Sequence, residues 1–191
     1  MRGDRKSIRV KGYDYSQPGG YDVTVCIHAH KCVFGNVKNC EMVLNDAGRM
    51  IEKWWQKIPD KYNTVEIDEY RVMPNHFHGI IKFVGADACA RPNALNNERY
   101  NNDAYTDEKG QARLSAPTVG TVIQWFKTMS TNEYIRNVKT EKWLPFDKRL
   151  WQRNYYEHII RNESDLTRVQ EYIVNNPAKW EDDEYYTESI P

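Results

Sequence analysis

Alternation of apolar and polar residues, together with β-prone composition, predicts four strands, over residues 21–28, 64–73, 76–84 and 150–161. The second and third runs flank a Met-Pro-Asn break, which favours a tight turn, so we expect them to form a hairpin. In the first strand one face is entirely apolar and holds Tyr21, Val23, Val25 and Ile27.

Helical periodicity predicts three helices, over residues 45–58, 119–135 and 162–175. Asn45 and Asn162 are suitable N-cap residues, and Asp165 stands where the acid of a capping box would lie. Pro59 should stop the first helix, and Pro177 should disfavour a helical conformation in Asn176. The apolar stripe of the middle helix comprises Val122, Ile123, Phe126, Met129 and Tyr134.

Three stretches lack periodicity, which divides the 191 residues into one folded domain and its appendages. We expect a basic flexible arm over residues 1–17, a single domain over 18–180 and an acidic tail over 181–191. Within the domain, the polar, Asn-rich stretch at about 85–117 is too long for an ordinary loop and is predicted to be an exposed insertion.

The charge is balanced overall, with 27 basic and 27 acidic residues, so no global field indicates a nucleic-acid or membrane partner. Residues 122–161 are locally basic, with eight Lys or Arg and four acids. Phosphate contacts are one explanation, and surface ion pairs with Glu133, Asp147 or Glu157 are the other. The DNA-binding candidates in this stretch are Lys127, Arg149, Gln152, Arg153 and Arg161.

No apolar run is long enough to span a membrane and no targeting segment is visible, so we expect a soluble, cytoplasmic protein without a membrane partner. Its four cysteines show no Cys-x-x-Cys spacing, which favours reduced thiols.

His76 and His78 alternate along the third predicted strand and therefore share one face. Two imidazoles about 6–7 Å apart along a strand can converge on one divalent ion, although two polar residues on a wet strand face would show the same spacing. A competing set, Cys26, His28, His30 and Cys32, also alternates onto one face. It would spread over about 20 Å if the strand continued, so a shared zinc site requires the chain to bend.

Tyr172 and Asn176 lie four residues apart at the end of the last predicted helix, so their side chains share a face. If that face meets the His76/His78 strand, two imidazoles, an amide oxygen and a phenol would surround a metal-sized space. A phenol of pKa about 10 is a poor nucleophile at neutral pH unless a nearby cation activates the electrophile. A phosphodiester is the natural electrophile, because a divalent ion can bind one of its non-bridging oxygens. A packing tyrosine remains the alternative for Tyr172.

Four segments together resemble REP-associated tyrosine transposases, a branch of the single-tyrosine transposases with a His-hydrophobic-His motif. They are residues 18–24 (PGGYDVT), 73–81 (MPNHFHGII), 151–162 (WQRNYYEHIIRN) and 171–179 (EYIVNNPAK). The resemblance covers about residues 18–84 and 118–180. It implies an α+β fold, a ferredoxin-like sandwich with helices packed on an antiparallel sheet.

The resemblance further implies cleavage of single-stranded or hairpin DNA with imperfect palindromes, assisted by Mg²⁺ or Mn²⁺, by a monomer or homodimer. His76 and His78 would be metal ligands and Tyr172 the nucleophile. Asn176 stands where relatives offer a third ligand, often Gln. Tyr155 and Tyr156 are rival nucleophiles.

The favoured hypothesis is a transposase or nickase that cleaves and rejoins DNA through a 5′-phosphotyrosine intermediate. Because the covalent link conserves the phosphodiester energy, no nucleotide triphosphate is needed, and the chain has no Walker-type Gly-rich loop. A catalytically inactive, domesticated DNA-binding module that recognises palindromic repeats is the alternative. A zinc protein using Cys26, His28, His30 and Cys32 is a third hypothesis.

Overall fold

The computed structural model describes residues 18–84, 104–106, 112–114, 117–140 and 142–187. The predicted arm over 1–17, most of the insertion predicted at 85–117, and residues 188–191 lie outside the described residues. Within the described part of the chain, no helix combines the length and the apolar character needed to cross a membrane.

A four-stranded antiparallel sheet forms the centre of the fold. Its strands, in spatial order, are β4 (Val65–Val72), β5 (His76–Phe83), β1 (Gly19–Cys26) and β8 (Tyr156–Ile160). The four predicted strands are present, but the last is shorter than predicted. Of the predicted strand residues that precede β8, from 150 to 155, only Trp151 forms a β-bridge, and this isolated bridge joins it to Ile27 just after β1.

Two helices, α1 (Asp46–Gln56) and α3 (Val119–Lys139), cover one face of the sheet. Phe77 from β5 is central there, with ring centroids 4.5 Å from Trp55 and 5.3 Å from Phe126. The Asn45 side chain caps α1 by accepting a hydrogen bond from the Gly48 amide, as predicted. Helix α1 ends at Gln56, and Pro59 lies in the first turn of a separate short helix, α2 (Ile58–Lys61), where its missing N–H costs nothing.

The opposite face of the sheet is covered by α4 (Glu163–Asn175), whose Val169 and Ile173 pack on Ile80 of β5. Asn162 caps this helix, and the Asp165 carboxylate accepts a hydrogen bond from the Arg161 amide.

Helix α4 ends at Asn175 as predicted, but the predicted effect of Pro177 on the conformation of Asn176 is wrong. Asn176 has helical torsions (φ −57°, ψ −41°), and the chain continues as a 3₁₀ helix over Asn176–Asp182. A proline at the start of a new helical segment is compatible with that path, because its fixed φ is helical. The chain therefore continues beyond α4 as a 3₁₀ helix, whose Trp180 lies against His76 on the same face of the sheet.

Two small hairpins complete the described structure: β2 (Gly35–Lys38) with β3 (Glu41–Leu44), and β6 (Ala104–Thr106) with β7 (Ala112–Leu114). The core follows the order β1-α1-β4-β5-α3-β8, the βαββαβ arrangement of ferredoxin-like domains. The predicted fold class, an α+β sandwich with helices packed on an antiparallel sheet, is confirmed.

Candidate active site

His76 and His78 project from β5 on the face opposite Phe77, as strand alternation predicts. Their Nε2 atoms are 3.0 Å apart, and the two residues are only 0% and 2% exposed. The Trp180 and Tyr185 rings lie against His76, with centroids 5.9 and 4.9 Å away. The pair is therefore a buried cluster and not two polar residues on a wet face.

Both imidazoles are neutral near pH 7. Burial lowers the pKa of His76 to about 3, with a further contribution from nearby His30. Burial also lowers the pKa of His78 to about 3, and proximity to His76 adds to the effect. A metal binds the lone pair of a neutral imidazole, so these rings are already in the protonation state that metal binding requires.

Asp183 is the third member of this cluster. Its carboxylate and the ring nitrogens of His76 and His78 offer ligand atoms that all lie within 4.8 Å of one another. Asp183 directly follows the 3₁₀ helix after α4. That helix begins at Asn176, so one element positions both residues beside the histidines. The sequence interpretation placed Asp183 in an acidic tail, and no local signal marked it.

The predicted ligand Asn176 lies beside Asp183. Its Nδ2 donates to the Asp183 carboxylate over 3.2 Å, and its Oδ1 is buried with no hydrogen-bond partner among the described residues. Two neutral imidazoles, a carboxylate and a buried amide oxygen form a mixed N/O donor set, which fits Mn²⁺ or Mg²⁺. The geometry groups Asp183 with the histidines, and a ligand role for Asn176 remains a prediction.

Tyr172 contacts this cluster from α4. Its ring meets His78 edge-on, with centroids 5.3 Å apart, while the residue is 46% exposed and open to a substrate. Burial raises the pKa of Tyr172 to about 12, assisted by the negative charges of Asp183, Glu184 and Asp22. A phenol surrounded by carboxylates resists ionisation, and a divalent cation held nearby would oppose that effect.

Tyr185 is a tyrosine that sequence reasoning missed. Besides contacting His76, it stacks on His30 with centroids 5.6 Å apart and planes 10° from parallel. Of the two predicted rivals, Tyr156 is 52% exposed on β8, and its ring lies 6.4 Å from Tyr185. Tyr155 packs against the main core. The ring centroids of Tyr185 and His76 are 4.9 Å apart, compared with 5.3 Å for Tyr172 and His78. Any test of the nucleophile must therefore include Tyr185.

The residues of the third hypothesis do not gather around one point. His28–His30 form a 3₁₀ turn in which Ala29 and His30 have positive φ, so the strand does not continue through them. His30 pairs with the Gln152 side chain, and Cys32 Sγ lies 3.4 Å from Thr187 Oγ1. Among the described residues, the one group of three or more His, Cys, Asp or Glu that could share an ion is His76, His78 and Asp183. The structure therefore does not support the zinc hypothesis.

The predicted DNA-binding residues fall into two structural groups. Lys127 Nζ donates to the carbonyls of Gln152 and Asn154 over 2.9 and 3.0 Å, and Gln152 in turn contacts His30. Burial lowers the pKa of Lys127 to about 8. The other three candidates are exposed, and they are Arg149, Arg153 and Arg161.

No protein-family model matches the chain. An uncharacterized protein of Haemophilus influenzae is 38% identical over 186 residues, which cover 96% of this chain and 94% of the relative. The chain belongs to the same family as that protein.

A solved structure of a REP-associated tyrosine transposase bound to a REP hairpin shares the fold, with a TM-score of 0.52 at 19% identity. The match covers 90% of this chain and 73% of that one. The resemblance found in the motifs is thus confirmed at the level of the fold.

Proposed function

We propose that this protein is a metal-dependent DNA transposase or nickase that cleaves and rejoins single-stranded or hairpin DNA. The observation that carries the proposal is the edge-on contact of Tyr172 with His78, at 5.3 Å, beside the cluster of His76, His78 and Asp183. A hydroxyl nucleophile and a nearby buried donor set for a cation that activates the phosphate are the two parts that this chemistry requires.

The metal would be held by the Nε2 atoms of His76 and His78 and by Asp183, with Asn176 as a candidate fourth donor. When bound, Mn²⁺ or Mg²⁺ supplies Lewis-acid polarisation of a non-bridging phosphate oxygen. The chain contributes the burial that keeps the imidazoles neutral, and α4 holds the phenol next to them.

In the cleavage step Tyr172 Oη attacks the scissile phosphorus and loses its proton. The bond from phosphorus to the 3′-oxygen breaks, and that oxygen leaves as a 3′-hydroxyl after taking up a proton. The product is a 5′-phosphotyrosine link, which a 3′-hydroxyl can attack to restore Tyr172 and a phosphodiester. Because one phosphoester replaces another in each direction, cleavage and rejoining need no external energy source.

Hairpin DNA is the proposed substrate class. The solved transposase that shares the fold is bound to a REP hairpin, and this supports the same class of substrate here. The exposed side of Tyr172 leaves room for an unpaired strand, which bends into an in-line geometry at lower cost than a duplex.

The nucleophile can be tested with labelled hairpins from the DNA flanking the gene, Mn²⁺ and a denaturing gel. The wild type should form a covalent adduct that peptide mapping assigns to Tyr172, and Tyr172→Phe should form none while binding DNA normally. Tyr155→Phe, Tyr156→Phe and Tyr185→Phe are matched controls, which should all still form the adduct. An adduct that persists in Tyr172→Phe, or maps to Tyr185, would show that the nucleophile is misassigned. Binding without any adduct in the wild type would favour the inactive DNA-binding module.

A further inference from the structure

The two histidines of the cluster have different outer partners, and these determine where each ring carries its proton. We propose that Asn75 fixes the tautomer of His76, and that Thr24 lets His78 exchange tautomers when a metal ion enters. The inference rests on the proposed function insofar as it assumes a metal ion between the two Nε2 atoms. Asn75 and Thr24 would be positioning residues, because they would act on the metal only through the imidazoles.

The amide of Asn75 can have only one orientation. Its Nδ2 lies 3.1 Å from the His30 carbonyl, 2.7 Å from the Tyr185 carbonyl and 3.2 Å from Thr187 Oγ1. Carbonyl oxygens accept hydrogen bonds and never donate them, so the NH₂ group must face them. A flipped amide would bring its oxygen against two carbonyl oxygens.

This orientation sets the tautomer of His76. With the NH₂ group of Asn75 engaged, its Oδ1 lies 2.9 Å from His76 Nδ1. An amide oxygen only accepts, so Nδ1 of His76 must carry the hydrogen. In the neutral ring Nε2 then holds the lone pair, which points at His78 and is ready for a metal.

His78 is held by a partner that can either donate or accept. Its Nδ1 lies 2.9 Å from the hydroxyl of Thr24, which is directly opposite on β1. Because Nε2 of His76 accepts, Nε2 of His78 must donate across the 3.0 Å between the two rings. Its Nδ1 then accepts a hydrogen bond from the Thr24 hydroxyl.

If both Nε2 lone pairs were used to hold a metal, this arrangement would reverse at His78 alone. The proton leaves Nε2 to solvent and another binds at Nδ1, so the imidazole remains neutral and no net proton is exchanged. Thr24 Oγ1 then accepts from Nδ1–H by rotating its hydroxyl. A valine in its place could not accept, and the metal-bound tautomer would leave a buried N–H without a partner.

Histidine side-chain ¹⁵N NMR reports the tautomers directly and independently of activity. In the metal-free protein we expect Nδ1–H on His76 and Nε2–H on His78, and with saturating Mg²⁺ we expect Nδ1–H on both. Asn75→Leu removes the acceptor for His76 Nδ1 and should release its tautomer, whereas Thr24→Val leaves Asn75 in place and should preserve Nδ1–H on His76. Nδ1–H on metal-free wild-type His78, or an unchanged His76 tautomer in Asn75→Leu, would overturn the inference.

Calorimetry with Mn²⁺ tests the consequence for binding. Thr24→Val should weaken Mn²⁺ binding by about 10- to 100-fold, the usual effect of losing an outer partner of a metal ligand, and Thr24→Ser should restore it. Wild-type affinity in Thr24→Val would overturn the inference. If wild-type protein binds no Mn²⁺, the proposed metal site fails, yet the metal-free NMR spectrum still tests the tautomers that Asn75 and Thr24 impose.

Discussion

Asp22 is half-buried on the site face of the sheet, and its Oδ1 is buried with no hydrogen-bond partner among the described residues. Burial raises the pKa of Asp22 from 3.8 to about 6; nearby His158 and Arg168 oppose the rise, and the Asp165 carboxylate adds to it. The negative charge of Asp22 in turn raises the pKa of Tyr172. Between about pH 4 and pH 6 the folded state therefore binds more protons than the unfolded chain, and the free energy of unfolding falls as pH rises.

Replacing Asp22 with Asn should remove this destabilisation. We expect Asp22→Asn to raise the free energy of unfolding at pH 7 by on the order of 1–3 kcal/mol and to have little effect near pH 4. Urea denaturation at both pH values measures the difference. Asp165→Asn is a control of opposite sign, because hydrogen bonds from Arg168 and His158 hold the pKa of Asp165 down to about 2. Equal gains for Asp22→Asn at both pH values would argue against the ionisation effect.

The proposed metal site can be tested one residue at a time. His76→Ala should abolish measurable Mn²⁺ binding, and Asp183→Ala should weaken it more than Asn176→Ala, because Asp183 groups with the histidines and carries a charge. Calorimetry of the three variants beside wild type gives the order. The mixed N/O donor set also predicts tighter binding of Mn²⁺ than of Mg²⁺. Wild-type affinity in His76→Ala would remove the metal assignment.

At the scale of elements, β5 holds the site in place by packing its other face. A Cβ on Gly79, the residue after His78, would lie 2.6 Å from Trp55 Cζ2 and 2.8 Å from Phe77 Cε1. Neither ring can move far, because both contact Phe126 in the core. The absence of a side chain at Gly79 therefore lets Trp55 pack directly against the strand that carries the histidines.

Gly79→Ala should lower the free energy of unfolding by about 1–3 kcal/mol, the usual cost of overpacking a core. Gly20→Ala on β1 is the matched control, because its Cβ would meet Ile160 at 3.4 Å, an ordinary contact. Denaturant titrations of both variants give the comparison. Equal midpoints for the two variants would contradict the packing account.

The elements that the sequence predicted best are those with a long, regular pattern. The alternation around Phe77 predicted β5, and the Asn45 and Asn162 caps predicted the starts of α1 and α4. The prediction was wrong where tertiary structure redirects the chain. Residues 150–154 have strand composition, but Lys148 takes a positive φ and the chain joins the sheet as β8 only from Tyr156. The amino-acid composition of residues 150–154 does not indicate that the chain turns away from the sheet there.

At the scale of the whole molecule, the site is assembled from segments far apart in the sequence. The strand alternation was enough to pair His76 with His78, and helical spacing placed Tyr172 with Asn176. Asp183 and Tyr185 join them only because the 3₁₀ helix carries the chain past Pro177 and back over β5. That path depends on the packing of α4 against Ile80, a tertiary contact that no local sequence pattern predicts.

The proposed DNA binding involves the surface of the whole molecule, and its salt dependence would separate phosphate contacts from surface ion pairs. Arg149, Arg153 and Arg161 are exposed, so phosphates can reach their guanidinium groups. Lys127 uses two of its three N–H donors on backbone carbonyls and retains one. One acid of the ion-pair alternative, Glu133, already accepts hydrogen bonds from Lys53 and Trp54.

Each alanine variant that loses a phosphate contact should flatten the slope of log K against log salt by about 0.7 for single-stranded DNA, and weaken binding to all sequences alike. We expect this for Arg149→Ala, Arg153→Ala and Arg161→Ala. Lys127→Ala should show the same change together with reduced stability, because the carbonyls of Gln152 and Asn154 lose their donor. Fluorescence anisotropy with labelled hairpins over a range of salt concentrations measures the slopes, and thermal unfolding separates the two effects at Lys127. Unchanged slopes in all four variants would place the DNA surface elsewhere on the protein.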